Sequence, residues 1–428
     1  MKVVLIGAGS RSFGRGQIAD LLQAPELRGR GARLVLVDTH AAALEVMTQL
    51  ALRLKAHVAS DVEVEGTTDR TQALPGADYV ITAVARRRME LWEQDFRIPV
   101  AYGFRHCLGE NGGPGALFHT LRSLELVVPI CRDVERLCPR ALVLNFTNPE
   151  ARVLHAISHL TKVRAAGICH GVFSALEAIA KYLGRPCEEL DIISAGVNHF
   201  YCVLRASDKA TGKDYLPALV RLAAGDASAP PLFRKMAEVF GVFTFPSDDH
   251  IGEYMAWGTE YSGSKWHYGQ EGRRVRAKED PPPVPLEEYA AGRRPIDPDL
   301  LRPSGEITVP VIADIELNRG AFRPAVNVLN ADGYIANLPR DAVIEVPATV
   351  DAGGIHPLHV GPIPETFAAI MRTQFTIHSL LTEAWRTRSR KLLLQALLVD
   401  PCVDSIAAAE RTLDDLLALQ ADFLPEFS

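Results

Sequence analysis

Two short motifs carry the first chemical signal. Cys169-His170 ends the apolar run VRAAGICHG, and thirty positions later Gly196-Val197-Asn198-His199 ends another. A thiolate and an imidazole are soft and borderline metal ligands, and two protein ligands leave open positions on an ion for substrate oxygens. Their spacing does not fit a structural zinc site, which takes four ligands at short intervals. Taken singly, a buried cysteine reads equally as core and a lone histidine as a satisfied polar group. A second signal is Gly7-Ala8-Gly9-Ser10, directly after the run VVLI. Glycines there let a backbone approach a pyrophosphate, and a following helix N-terminus offers amide donors. Asp38 closes the next apolar run, where a carboxylate suits a ribose diol and favours NAD over NADP. The third glycine of the usual pattern is displaced, with Ser at position 12 and Gly at 14.

These residues need a frame. In the first 150 positions, strand-like runs (VVLIGAG, LVLVD at 34–38, ADYVITAVA at 77–85, ALVLNFTNP) alternate with helical spacing (after Gly14, AALEVMTQLALRLKAHV, GALFHTLRSLELVVPICRDVERL). Such alternation implies βαβ units on a parallel sheet, so the expected class is α/β: a Rossmann-type, doubly wound sheet. The expected division is residues 1–150 as an NAD-binding domain and 151–428 as a substrate- and metal-binding α+β domain with a helical C-terminus. Within the second, a helix near 172–183 should stop at Gly184, a glycine C-cap. Residues 262–305, rich in Gly, Pro and charge, read as a long loop; 307–350 has strand-like runs such as DAVIEVPATV; the last 65 residues read mostly as helices.

Composition narrows the class further. The 428 residues carry 46 basic and 52 acidic side chains, a net charge of −6, which argues against a nucleic-acid protein. At 47% hydrophobic and 23% charged the chain is an ordinary globular one. No apolar run is long enough to span a membrane, and Val3–Ile6 is too short for a signal-peptide core. Seven cysteines without a close pair suggest reduced thiols and a cytoplasmic setting.

Gly7-Ala8-Gly9-Ser10, Thr68-Asp69, Asn145-Phe146-Thr147-Asn148-Pro149, Cys169-His170-Gly171-Val172, Gly196-Val197-Asn198-His199 and NVLNADGYIANLPRDAVIEVPA occur in that order. Together they resemble glycoside hydrolase family 4, the NAD- and metal-dependent glycosidases of the lactate/malate dehydrogenase superfamily. The resemblance runs from Met1 to about Pro347. It implies that NAD⁺ takes a hydride from C3 of a sugar, a base removes the acidified C2 proton, and the aglycone leaves C1 before water adds and the hydride returns; the family stands apart from two-carboxylate glycosidases. A divalent ion, typically Mn²⁺, would bridge O2 and O3. The resemblance assigns Cys169 and His199 to the metal, Asn148 to the sugar, and Asn198 to orienting the sugar or His199; Gly7, Gly9, Ser10 and Asp38 are the residues read above as binding NAD. It assigns His170 to the acid, where some members carry Asp, and Tyr254 to the base, with His250 as rival. Glu110 to Gly115 resembles the family's Gly-rich loop near nicotinamide and substrate. A homodimer or tetramer acting on a small-molecule glycoside is implied.

Cys-His-Gly-x resembles the α-galacturonidase and α-glucuronidase branch, which points to an α-linked uronide; α-glucosidase or α-galactosidase is the alternative. Arg86-Arg87-Arg88 follows the third parallel strand where the family carries Gly-Gly. Arg87 is the candidate partner of a C6 carboxylate, and a solvated turn or a pyrophosphate contact reads as well there. A 2-hydroxy-acid dehydrogenase of the same superfamily and a non-catalytic NAD sensor are the competing classes.

Overall fold

The computed structural model describes residues 1–11, 13–264 and 286–428; Ser12, and the part of the expected 262–305 loop at 265–285, lie outside the described residues. The strands are β1 (Lys2–Ile6), β2 (Arg33–Val37), β3 (Glu63–Thr67), β4 (Tyr79–Thr82), β5 (Leu142–Asn145), β6 (Arg164–Gly167), β7 (Leu190–Val197), β8 (Phe200–Asp208), β9 (Ala321–Leu329), β10 (Val343–Asp351) and β11 (Gly354–Pro357). They form one sheet in the order β3-β2-β1-β4-β5-β6-β9-β10-β7-β8, with β11 on β10. From β3 to β6 every pairing is parallel; from β6 onward each is antiparallel. The first six strands thus have the doubly wound order, whose switch point lies between β1 and β4.

Alternating residues explain the two-sided burial. Val4, Ile6, Val35, Val37, Val80 and Val143 pack on one face with Leu117, Leu121, Leu124 and Val128 of the Gly113–Leu137 helix. Val3, Leu5, Leu34, Leu36, Ile81 and Leu144 pack on the other with the Phe13–Gln23 and Ala41–His57 helices. Side chains buried in this way contribute about 1.5–3 kcal/mol each over leaving them exposed. Strands covered on both sides read as continuous apolar runs, and that is why these were visible in sequence.

Other elements were not. β3, EVEGT, is an edge strand with its glutamates exposed, so it has no apolar signature. β8 follows β7 after a two-residue turn. The run TVPVIADIEL, in a region with strand-like runs, folds as the helix Thr308–Leu317; a short apolar run cannot be told from a buried helix by its periodicity. Of the expected long loop, Leu286–Ala290 is helical and packs near the Ala41–His57 helix. The closing helices are Glu365–Thr387, Arg390–Val399 and Ile406–Leu419. The single sheet joins the chain before residue 150 to the chain after it: β6 pairs with β5 on one side and with β9 on the other. Among the described residues no helix is long and apolar enough to cross a membrane.

Candidate active site

The sheet itself builds the centre of the site. Gly167 of β6 stands opposite Asn327 of β9, Asn327 opposite Glu345 of β10, and Glu345 opposite Gly196 of β7. This row brings together the ends of β6 and β7, which carry the two candidate metal ligands. Cys169 lies in the turn from β6 into the Gly171–Leu183 helix; His199 sits at φ +67 in the β7–β8 turn. The Cys169 Sγ is 3.4 Å from the His199 Nε2. Burial, then Glu345, pushes the thiol up to about 11, and burial lowers His199. The imidazole is therefore neutral, the form that ligates, and a cation between the two groups would release the thiol proton. The His199 Nδ1 is buried without a hydrogen-bond partner among the described residues. No cluster of three or more metal-competent side chains occurs among them, so a cation here would have two protein ligands. The residues present fit one that leaves positions open.

Two buried acids that sequence reasoning missed lie behind this pair. Glu345 Oε2 accepts Nδ2–H of Asn198 at 3.1 Å and of Asn327 at 3.3 Å. Asn198 therefore holds the His199 turn to β10. Glu150 is buried at the start of the Glu150–Leu160 helix, and neither of its oxygens is bonded among the described residues. Burial, then Cys169 and Glu345, holds its carboxyl well above the usual range. A Cβ on Gly167 would stand 1.5 Å from its Oε1, so the glycine is what admits the carboxyl. The signal for Glu345 was present: an acidic residue inside the apolar run VIEVPA.

The glycine turn is built as its sequence implied. Gly7 has φ +94, and a Cβ there would lie 2.1 Å from the Ala83 carbonyl oxygen. Gly9 donates its N–H to Asp38 Oδ2 at 2.9 Å, and a Cβ on Gly9 would press on that same carboxylate at 2.7 Å. Ser10 Oγ accepts from the N–H of Phe13 at 3.2 Å, at the head of the first helix. This is a cradle that only a backbone without side chains leaves open, beside an acid at the end of β2; it fits a dinucleotide.

The remaining candidates separate. His170 is exposed, and its Nδ1 lies 2.8 Å from Glu306 Oε1, a partner not read from sequence. That hydrogen bond raises the ring to about 9, making it a cation near neutral pH. Asn148 Nδ2 lies 3.5 Å from Glu110 Oε1, and Ser123 Oγ donates to the Asn148 carbonyl at 2.6 Å. Tyr254 is buried. Its hydroxyl donates to the Asn198 carbonyl at 2.8 Å, and burial holds the phenol well above its ordinary value. This hydrogen bond ties the phenol to the backbone of the Asn198–His199 turn. The His250 ring meets the His199 ring edge-on at 4.6 Å, and burial, then His199, lowers it to about 3, so it is neutral. Arg87 points outward to Glu90 and stacks 5.8 Å from Phe423. Arg88 turns inward, pairing with buried Glu110 while its guanidinium lies over the Trp92 ring. Arg87 adopts φ +40, the left-handed region that favours glycine, and this bend sends neighbouring side chains in opposite directions.

Comparison with known proteins decides the family. The family model described as "Family 4 glycosyl hydrolase" matches residues 2–185, and its C-terminal domain matches 194–403. The chain belongs to glycosyl hydrolase family 4. An "Alpha-glucosidase" of Erwinia rhapontici is 31% identical over 99% of this chain and 98% of that protein. An "Alpha-galactosidase" of Rhizobium meliloti is 32% identical over 100% of this chain and 90% of its own. The crystal structure of a 6-phospho-α-glucosidase from gut microorganisms, in complex with NAD and Mn²⁺, superposes with a TM-score of 0.83. It is 20% identical and covers 100% of this chain and 99% of that one, a likeness of fold. This family 4 protein is therefore a glycosidase, and the dehydrogenase and sensor alternatives fall away.

Proposed function

We propose that this family 4 enzyme hydrolyses α-linked uronides, galacturonides or glucuronides, using NAD and a divalent metal such as Mn²⁺. The observation that carries the substrate class is Arg88. It lies past β4, at the carboxyl edge of the sheet where ligands of doubly wound folds sit, and its side chain remains 45% exposed after pairing with Glu110. A guanidinium has five donors in a planar fork, so it can hold Glu110 on one edge and a C6 carboxylate on another. The sequence Cys169-His170-Gly171-Val172 supports the same branch. A second reading, neutral α-hexosides, is favoured by the 31–32% identity to an α-glucosidase and an α-galactosidase.

When bound, NAD at Gly7, Gly9, Ser10 and Asp38 supplies a reversible hydride acceptor, and the metal at Cys169 and His199 supplies Lewis acidity toward vicinal sugar oxygens. The chain supplies the proton chemistry and orientation. Asn148 and the Glu110 carboxylate it faces orient sugar hydroxyls. His170, held as imidazolium by Glu306, gives a proton to the leaving oxygen. Tyr254, beside the Asn198–His199 turn, takes the proton from C2, with His250 against His199 as its rival. The enzyme acts in the cytoplasm as a homo-oligomer, with residues 1–150 as the nucleotide domain and 151–428 as the substrate and metal domain.

The test is hydrolysis of p-nitrophenyl α-galacturonide, α-glucuronide, α-galactoside and α-glucoside with NAD⁺, Mn²⁺ and thiol. The uronides should be cleaved with the highest kcat/KM. Cleavage of the neutral glycosides alone overturns the uronide reading. Deuterium at C2 should wash out into solvent during turnover, and retention would refute proton removal there.

A further inference from the structure

One short stretch of chain touches both the Glu110 loop and the Asn198–His199 turn. Asp248 accepts the N–H groups of Leu232 and Phe233, each at 2.8 Å, which fixes the stretch to the head of the Pro231–Phe240 helix. His250 meets His199, and Tyr254 holds the Asn198 carbonyl, as described above. Between them, buried Glu253 faces the other way. Its Oε1 accepts the N–H of Glu110 at 2.6 Å, of Asn111 at 2.9 Å and, at longer range, of Gly112 at 3.4 Å. Its Oε2 accepts Asn111 Nδ2–H at 3.3 Å. Three successive amides converging on one carboxylate oxygen form an anion nest, here filled by a side chain of the same protein. Position 112 must lack a side chain for the loop to sit so close, since a Cβ would stand 2.2 Å from the Glu253 carbonyl oxygen. The captured loop carries Glu110, which pairs with Arg88 and reaches Asn148. Adjacent residues of one turn, Gly252–Tyr254, thus hold the Glu110 loop and the His199 turn at a fixed separation.

We propose that Glu253 is a positioning residue for the glycosidase reaction, setting the Glu110–Asn111 loop, and through it Asn148 and Arg88, relative to the Asn198–His199 turn. It acts from behind the loop, through the backbone of residues 110–112. The inference rests on the family activity and holds whichever α-glycoside is the substrate.

The test is Glu253→Gln in the holoenzyme, reconstituted with NAD⁺ and Mn²⁺ and assayed on whichever p-nitrophenyl α-glycoside the wild type cleaves fastest. Glutamine keeps the size of the side chain but turns an NH₂ toward the Asn111 amide donor. Displacing a loop beside the reacting centre by a fraction of an ångström should lower kcat by roughly 10- to 100-fold. Mn²⁺ affinity by electron paramagnetic resonance titration and NAD⁺ affinity by fluorescence should stay within about twofold, since Glu253 bonds neither Cys169, His199 nor the Gly7–Asp38 cradle. Gly112→Ala displaces the same loop from its other side without a change of charge and should reproduce the kcat loss. Glu110→Gln added to Glu253→Gln should cost far less than Glu110→Gln alone, as expected for residues acting as one unit. An unchanged kcat overturns the proposal, and so does a parallel loss of kcat, Mn²⁺ affinity and NAD⁺ affinity, the mark of a purely structural residue. If Glu253→Gln does not fold, Gly112→Ala decides by the same comparison.

Discussion

Glu345 accepts the side-chain amide of Asn198 at 3.1 Å, so the turn that carries His199 is tied to the middle of the sheet by a buried carboxylate. Groups that orient a metal ligand from behind typically change metal affinity by about 10–100-fold when removed. Glu345→Leu should therefore weaken Mn²⁺ binding by roughly that factor while NAD⁺ affinity is retained. Metal titration followed by electron paramagnetic resonance reads the first, fluorescence quenching the second.

Cys169→Ser addresses the ligand itself. An alkoxide is far less accessible than a thiolate at neutral pH, so Mn²⁺ binding should fall strongly and turnover with it. NAD⁺ should bind nearly as before, because the glycine turn at Gly7 and Gly9 is formed by β1 and β2. Equal loss of both affinities in a calorimetric titration would make Cys169 a packing residue.

Gly167→Ala places a methyl group where the Glu150 carboxyl now lies. Overpacking of this kind costs about 1–3 kcal/mol, so the thermal midpoint should drop. Glu150→Ala should restore most of that loss in the double variant, since it removes the clashing atoms and an unbonded buried acid together. Additive losses in the two changes would show that the side chains do not meet.

Acid should destabilise the fold through its buried histidines. His106 is lowered to about 4 and His119 and His155 to about 3, chiefly by burial. A histidine whose folded value is depressed contributes its stability above its unfolded value near 6.5 and loses it as pH falls toward the folded value. Below pH 6.5 the unfolded chain takes up protons that the native state refuses, at about 1.4 kcal/mol per pH unit for each group. Calorimetric midpoints should fall steadily from pH 6.5 to 4. His155→Gln, which can keep a bond to Thr382, should flatten that slope by one proton.

Much of the frame was legible because it is made of uninterrupted apolar strands. β1, β2, β4 and β5 are covered by helices on both faces, and Gly7, Gly9 and Asp38 sit at ends of elements that the pattern already fixed. Cys169 and His199 were legible as motifs, and the geometry brings them within 3.4 Å. The supporting acids were not, because their roles depend on pairings far apart in the chain: Glu345 with Asn198, Glu306 with His170, Glu253 with the amides of 110–112. Nothing local distinguishes such a glutamate from a solvated one. Arg87 and Arg88 were indistinguishable in sequence for a similar reason, since only their partners, exposed Glu90 for Arg87 and buried Glu110 for Arg88, tell them apart.

The row Gly167–Asn327–Glu345–Gly196 has a mechanical consequence. A hinge along this row would have to break backbone pairing in mid-sheet, so the strands on either side of it form one continuous frame. The Gly7 turn and the Cys169–His199 pair are thus mounted on the same sheet.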